Sequence, residues 1–467
     1  MNRFSLSMPL LGAIVLFLAV AGLMLGVPVL AGNPPPDPSF EETLDNLLSD
    51  TANRLSIPAL SVAVARDNET VYHRTIGENL TTESRFQIGS VSKSFTALAV
   101  MQLAEAGRIN LDAPVSTYIT EFEVSDRITV RHLLNQVSGM TEFDYMSSLP
   151  PDASFEDLVQ DMNGITPSHP PGEHFAYFNQ NYSLLGLVVE RTSGIPYAQY
   201  LEKQIFRPLG LAHTCALGDA DLSGHLSVFG FSVARPEPVI RYDIPAGYLT
   251  STAQDMVWYL EAIRTAHPDT GVSPEGIAQM MDADPYGMGW MAGTISGRPA
   301  VHHGGSLPGF STNAVMLTED GTSIAILMNK QHMFNALVFY PDLTEAVVSV
   351  LTGQNPQDRL HLFWLVRLVL LFFLLNVLAN LRAIGKLLFR PDRHTTLQRS
   401  IAVGRRLLLA LALILLIPMG ARILLGRGVT WHLAFLLMPD MILWLAIGIS
   451  FSLIEAAIHT VYLVRGR

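Results

Sequence analysis

A single cysteine, Cys215, stands among 467 residues, so no intramolecular disulfide is possible and a disulfide-stapled fold is excluded. Zinc spacing is missing as well: no cysteine–histidine cluster occurs. The adjacent pair His302–His303 falls on a predicted strand, where neighbours point to opposite faces, which is poor metal geometry. Charge is sparse, with 15% charged residues, and it is unevenly spread. Residues 33–355 carry 16 Lys/Arg against 37 Asp/Glu, a net of −21, while residues 356–467 carry 13 against 4, a net of +9. An acidic body with no basic stripe argues against nucleic acid as a partner.

Long apolar runs are plentiful. Met8–Ala31 is almost wholly apolar with Arg3 ahead of it, and Val29-Leu30-Ala31 offers a cleavage site. Residues 1–32 therefore read as a signal peptide or an uncleaved N-terminal anchor, and either one exports the body of the chain. Residues 33–39, rich in proline, read as a stiff linker. Residues 40–355 form the body. Residues 356–467 hold about three further membrane candidates, near Leu360–Leu381, Leu407–Leu425 and Met441–Val464. Between the first two lie Arg382, Lys386, Arg390, Arg393, Arg399, Arg405 and Arg406 against Asp392, and the positive-inside tendency places that loop in the cytoplasm. The expectation is a multi-pass protein of the cell membrane, its partner the lipid bilayer, with the body extracytoplasmic. A protein partner of the tail is not readable. Arg367, Asp440, Glu455 and His459 fall in or beside these spans; the plain reading is snorkelling or pairing inside the bundle.

The chemistry is carried by Ser90-Val91-Ser92-Lys93, followed by Ser94–Gly107, which reads as an amphipathic helix. Positions i and i+3 share a helix face, so the lysine amine reaches the serine hydroxyl. A neutral amine there takes the hydroxyl proton and makes the oxygen attack a carbonyl. Taken alone, four such residues also read as a helix start with Ser90 as cap. Three ordered blocks weigh against that: Phe86–Thr96 around the serine, Pro171–Gly186 containing Tyr177-Phe178-Asn179, and His302–Phe310 containing His303-Gly304-Gly305-Ser306. With Leu133–Gly139, Ala246–Thr252 and Tyr286–Trp290 they resemble the serine β-lactamase and penicillin-binding-protein superfamily over about residues 40 to 355, most closely its class C β-lactamase-like branch.

That resemblance implies Ser90 as nucleophile, Lys93 as base and Tyr177 as proton relay. It implies that Asn179 holds a substrate amide and tethers Lys93, and that His303 polarises the site or contacts a substrate carboxylate. Gly305 lets a substrate backbone lie against the strand, and the Ser90 and Ser306 amides form an oxyanion hole. Tyr182 reads as core. Gln136-Val137 stands where the family often has His-Thr, an altered supporting contact, and no class A-type deacylating glutamate is found. No metal or organic cofactor is implied. The substrate is a small molecule or peptide: a D-amino-acid peptide, a β-lactam or an ester. The alternative is a penicillin-binding or sensor protein that is acylated without efficient turnover.

Patterning agrees on the fold class, α+β. Leu60–Arg66 and Val71–Ile76 read as a hairpin; Pro299–His303, Ser311–Leu317 and Thr322–Met328 as strands; Phe339–Leu351 as a closing helix. Strands at both ends with helices between agree with the fold that the resemblance implies, an antiparallel sheet flanked by helices with a helical insert, and the apolar helical tail follows.

Overall fold

The computed structural model describes residues 39–142, 144–145, 147–216, 220–236, 238–332, 336, 340–354, 364–389, 395–424 and 431–465. The predicted signal or anchor, residues 1–32, lies outside them, as does the linker up to residue 38. One compact unit takes in Ser39–Leu226 and Ser232–Asp358; Arg359–Arg467 group in a second with Ser227–Phe231.

The principal elements of the first unit are α1 (Phe40–Arg54), β1 (Ala59–Arg66), β2 (Glu69–Gly77), α2 (Ser92–Glu105), α3 (Asn179–Ser193), α4 (Ala253–Arg264), β3 (Met291–Ile295), β4 (Arg298–Leu307), β5 (Phe310–Leu317), β6 (Thr322–Met328) and α5 (Tyr340–Leu351). Six strands make one antiparallel sheet in the order β2-β1-β6-β5-β4-β3. The first hairpin turns on Asp67 and Asn68, both at positive φ, the conformation that matches the twist of a tight hairpin. Its turn is fastened by Glu261, whose carboxylate accepts the Asn68 N–H at 2.8 Å. The β1–β6 pairing joins the two chain ends of the domain, with the helical stretch inserted between β2 and β3. Every residue of β6 is buried, as expected of a strand covered on both faces, with α4 packed against β6 and β1.

Helix α2 corrects one expectation. It is not amphipathic: Ser92 through Met101 are all buried. A helix buried on every side lies inside the fold rather than on its surface. Its polar residues are satisfied locally. Ser92 Oγ donates to Gly89 O at 2.7 Å, Ser94 Oγ to Val91 O at 2.8 Å, and Thr96 Oγ1 to Pro245 O at 2.7 Å. These bonds close a 3₁₀ turn, Gly89–Val91, onto the helix start and clamp it to the segment before Leu249.

The second unit has α6 (Trp364–Phe389), α7 (Thr396–Leu424), α8 (Trp431–Leu437) and α9 (Pro439–Val464). Within it, Leu368–Phe389 and Pro439–Val464 are long and apolar enough to cross a membrane. Leu371, Leu375, Leu378, Leu408 and Leu411 point outward, an apolar surface that water disfavours. Glu455 pairs with Arg406 across α7 and α9, and Tyr462 donates to Leu387 O at 3.0 Å. Asp440 Oδ1 accepts the Met441 N–H at 2.8 Å.

Candidate active site

Ser90 sits in the 3₁₀ turn that opens α2, one helical turn from Lys93. The turn is seated against β4 by two glycines. Gly89 has φ +56°, and a Cβ on it would lie 2.6 Å from the Ser306 nitrogen; a Cβ on Gly305 would lie 2.0 Å from Ile88 O. Only hydrogen at both positions permits this approach. It brings the backbone of the serine turn against Gly305–Ser306, where the resemblance expects two oxyanion donors. Gly305→Ala should therefore cost about 2 kcal/mol or more of domain stability through overpacking. Denaturant unfolding and covalent labelling of Ser90 would check this together; a variant that unfolds and labels like the wild type would refute the close fit.

Lys93 is completely buried, and its amine makes three contacts: Ser90 Oγ at 3.2 Å, Asn179 Oδ1 at 2.8 Å and Ala246 O at 2.6 Å. The last two can only accept. A neutral amine has two hydrogens and one lone pair, so two acceptors and one hydroxyl match it group for group. With the hydrogens given to Asn179 and Ala246, the lone pair faces the Ser90 hydroxyl. Burial pushes Lys93 down to about 7, against the opposing pull of Asp243 and Glu142. The amine is therefore substantially neutral near pH 7.

The Tyr177 ring centroid lies 4.8 Å from the Lys93 amine. Burial drives its hydroxyl well above the ordinary phenol range, so it is an O–H donor and not a phenolate. Asn179 opens α3 and donates weakly through Nδ2 to Glu142 Oε1 at 3.4 Å, which turns its carbonyl oxygen toward Lys93. Tyr182 is buried and donates to Leu134 O at 2.8 Å, as a core residue should.

His303 is buried on β4 with both ring nitrogens engaged. Nδ1 lies 2.7 Å from Gly304 O, which can only accept, so Nδ1 carries the proton. Nε2 then accepts from Tyr286 O–H at 3.1 Å. Burial, with the Lys93 charge beside it, pushes His303 down to about 3. The imidazole is neutral throughout the physiological range. Ser306 Oγ accepts from Gln331, which in turn accepts from Ser311.

Gln136 is more than a passive replacement. It is fully buried at φ +57°, and its main-chain oxygen accepts Ala176 N–H at 2.9 Å. Its side-chain oxygen accepts Phe178 N–H at 3.1 Å and Asn181 Nδ2 at 2.6 Å. One residue thus brackets the stretch that carries Tyr177 and Asn179. Gln136→Met should orphan two buried donors, about 1–3 kcal/mol each, and lower kcat about tenfold or more while KM moves little. Steady-state kinetics would read this, and an unchanged kcat would count against it.

Four contributors were not foreseen from the sequence: Glu142, Asp243, Tyr286 in its bond to His303, and the Ala246 carbonyl. Asp243 is held by Ser183 Oγ at 2.5 Å, and burial raises its carboxyl. Tyr286 and Ala246 lay inside recognised blocks; Glu142 and Asp243 had no motif to mark them. Among the described residues no group of three or more His, Cys, Asp or Glu gathers in metal-binding geometry.

A family model described as Beta-lactamase matches residues 44–344. Protein flp of Staphylococcus aureus (strain MRSA252) is 24% identical over 403 residues, covering 76% of this chain and 78% of that protein. Penicillin-binding protein 4 of Amycolatopsis lactamdurans is 28% identical over 339 residues, covering 64% and 86%. Among solved structures, the octameric penicillin-binding protein homologue from Pyrococcus abyssi aligns with a TM-score of 0.60 at 26% identity, over 69% of this chain and 80% of that one. The D-amino acid amidase from Ochrobactrum anthropi SV3, solved with L-phenylalanine amide, aligns at 0.59 and 22% identity over 68% and 99%, a likeness of fold.

Proposed function

The chain belongs to the Beta-lactamase family and is a serine hydrolase of that family; from this premise we propose a membrane-anchored, extracytoplasmic enzyme that works through an acyl-enzyme on Ser90. The Ser90 oxygen attacks an amide, lactam or ester carbonyl while its proton passes to the Lys93 amine. The developing oxyanion rests on the Ser90 and Ser306 N–H groups. Tyr177 O–H protonates the departing nitrogen or oxygen and is reprotonated from Lys93, so the carbon–leaving-group bond breaks with its proton supplied. Water then attacks the ester and gives a proton to the same pair, which returns it to Ser90 Oγ as the bond between Ser90 and the acyl group breaks and the acid leaves. Asn179 holds the substrate amide, Gly305 leaves room for the substrate backbone, and His303 supports the site through Tyr286.

One observation carries this reading: a fully buried lysine whose amine lies 3.2 Å from a serine hydroxyl and whose other two contacts are carbonyl oxygens. The apolar helices support the membrane anchor, and the basic residues from Arg382 to Arg406 support a catalytic domain on the opposite side. The test is to expose the full-length protein in detergent to a fluorescent penicillin and an activated ester and to follow the covalent label. Label that appears and decays with product release is expected. Persistent label would replace turnover by a penicillin-binding or sensor role, and no label from either probe would overturn acyl transfer.

A further inference from the structure

The neighbouring strands Gly224–Val228 and Phe231–Arg235 make a hairpin whose tip is apolar. Phe231 is 66% exposed, more than any other large apolar side chain among the described residues up to 354, and Val233, two positions on along the same strand face, is exposed as well. From Leu222 to Pro236 there is no carboxylate, although the body carries 37 Asp/Glu. The tip itself, Ser227–Phe231, groups with the apolar tail. Phe229 N–H donates to Asp440 Oδ2 at 3.3 Å, and the Phe229 ring lies 4.7 Å from that of Phe373 between centroids.

Both partners stand near the starts of membrane-length helices. Asp440 is in the first turn of α9, and Phe373 lies about 8 Å along α6 from Leu368, where its apolar stretch begins. The two helices run in the same sense, because Phe372 meets Trp444 edge-on at 6.2 Å and, further along both, Tyr462 donates to Leu387 O at 3.0 Å. Arg382 and Lys386 fall toward the far end of α6, so the topology proposed above turns the starts outward. Two residues of chain reach at most about 7 Å, which keeps Phe231 close to the depth of Phe229.

Resting on the membrane-anchored reading above, we infer that this hairpin tip is an additional contact with the lipid bilayer, with the Phe231 ring set at the boundary between headgroups and acyl chains of the outer leaflet. Aromatic rings favour that layer. A tip without carboxylates meets no repulsion from anionic lipids, and one that stays in the interface keeps its backbone within reach of water. Asp440 then has a task at the end of its span: its carboxylate holds the hairpin at that depth.

The test uses full-length protein in vesicles of phosphatidylcholine and phosphatidylglycerol. In a Cys215→Ser background, single cysteines replace Phe231, Leu378 on α6 and the exposed Glu69, and each carries a nitroxide. Oxygen concentrates in lipid and a polar nickel chelate stays in water, so the oxygen-to-nickel accessibility ratio at Phe231→Cys should exceed that at Glu69→Cys by about threefold or more and approach that at Leu378→Cys. In the unaltered protein, a phospholipid with a diazirine beside its headgroup should leave adducts on the peptide that contains Phe231. A nitroxide at Phe231→Cys with the ratio of Glu69→Cys, one shielded from both reagents by protein, or lipid adducts on α6 with none at Phe231 would overturn the inference and leave the anchor standing. If Leu378→Cys also reads as water-exposed, the membrane-anchored reading itself fails.

Discussion

Ser90→Ala should reduce hydrolysis of an activated ester by about 10⁴-fold or more and abolish covalent labelling. The magnitude comes from what alanine removes and what it keeps. The substituted residue still lies in the 3₁₀ turn, which stays seated against Gly305–Ser306. The bonds that hold the turn come from Ser92, Ser94 and Thr96 and are untouched. Only the nucleophilic oxygen and its 3.2 Å contact with Lys93 disappear. The variant should therefore fold like the wild type and yet fail to form an acyl-enzyme. Intact-protein mass spectrometry after a brief exposure to the ester would read one acyl adduct on the wild type and none on the variant. An adduct of equal yield on Ser90→Ala would move the nucleophile elsewhere.

The features legible in the sequence were the local ones. The i, i+3 spacing of Ser90 and Lys93 sets a distance that no tertiary contact has to supply. The hairpin at Asp67–Asn68 and the paired strands Phe310–Leu317 and Thr322–Met328 arise from alternation and turn residues; the second pair runs in unbroken register and the first slips once, between Val64 and Ala65. The site's electrostatics were not local. Ala246 contributes a carbonyl, and every residue has one, so side-chain identity gives no hint of it. Glu142 is a single acid in an acidic domain, distinguished only because the chain returns Asn179 to it. The neutrality of His303 depends on Tyr286, seventeen positions earlier, and on burial. Helix α2 misled for a related reason. Its serines and threonines look like a solvent face in sequence, but inside the fold their hydroxyls bond back to backbone carbonyls, which lets a polar stripe be buried. Gly89 and Gly305 illustrate the limit in another way: each is an ordinary glycine until the other's backbone lies against it.

The acylation rate should rise with pH through about 7 and then level off, and Lys93→Arg should lower it by about 10³-fold or more at any pH. Below about 7 the Lys93 lone pair holds a proton and cannot accept the one on Ser90, so the rate falls about tenfold per pH unit. Tyr177 keeps its proton far above this range and His303 remains neutral down to about 3, so neither bends the profile near 7. Arginine stays charged under all these conditions and has no lone pair to offer. The same burial has a thermodynamic counterpart whose sign is fixed. Lys93 titrates near 10.5 when unfolded and near 7 when folded, so between those values the unfolded chain binds more protons. Stability from this group therefore rises with pH from about 7 to 10.5, and below 7 its full penalty, on the order of 5 kcal/mol, is present. Lys93→Met removes that titration. Its lost hydrogen bonds shift stability by an amount that does not depend on pH. The difference in unfolding temperature between Lys93→Met and wild type should thus move steadily in favour of the wild type as pH rises from 7 to 10. A flat difference, or an acylation rate indifferent to pH between 5 and 8, would mean that Lys93 is charged in the folded protein and is not the base.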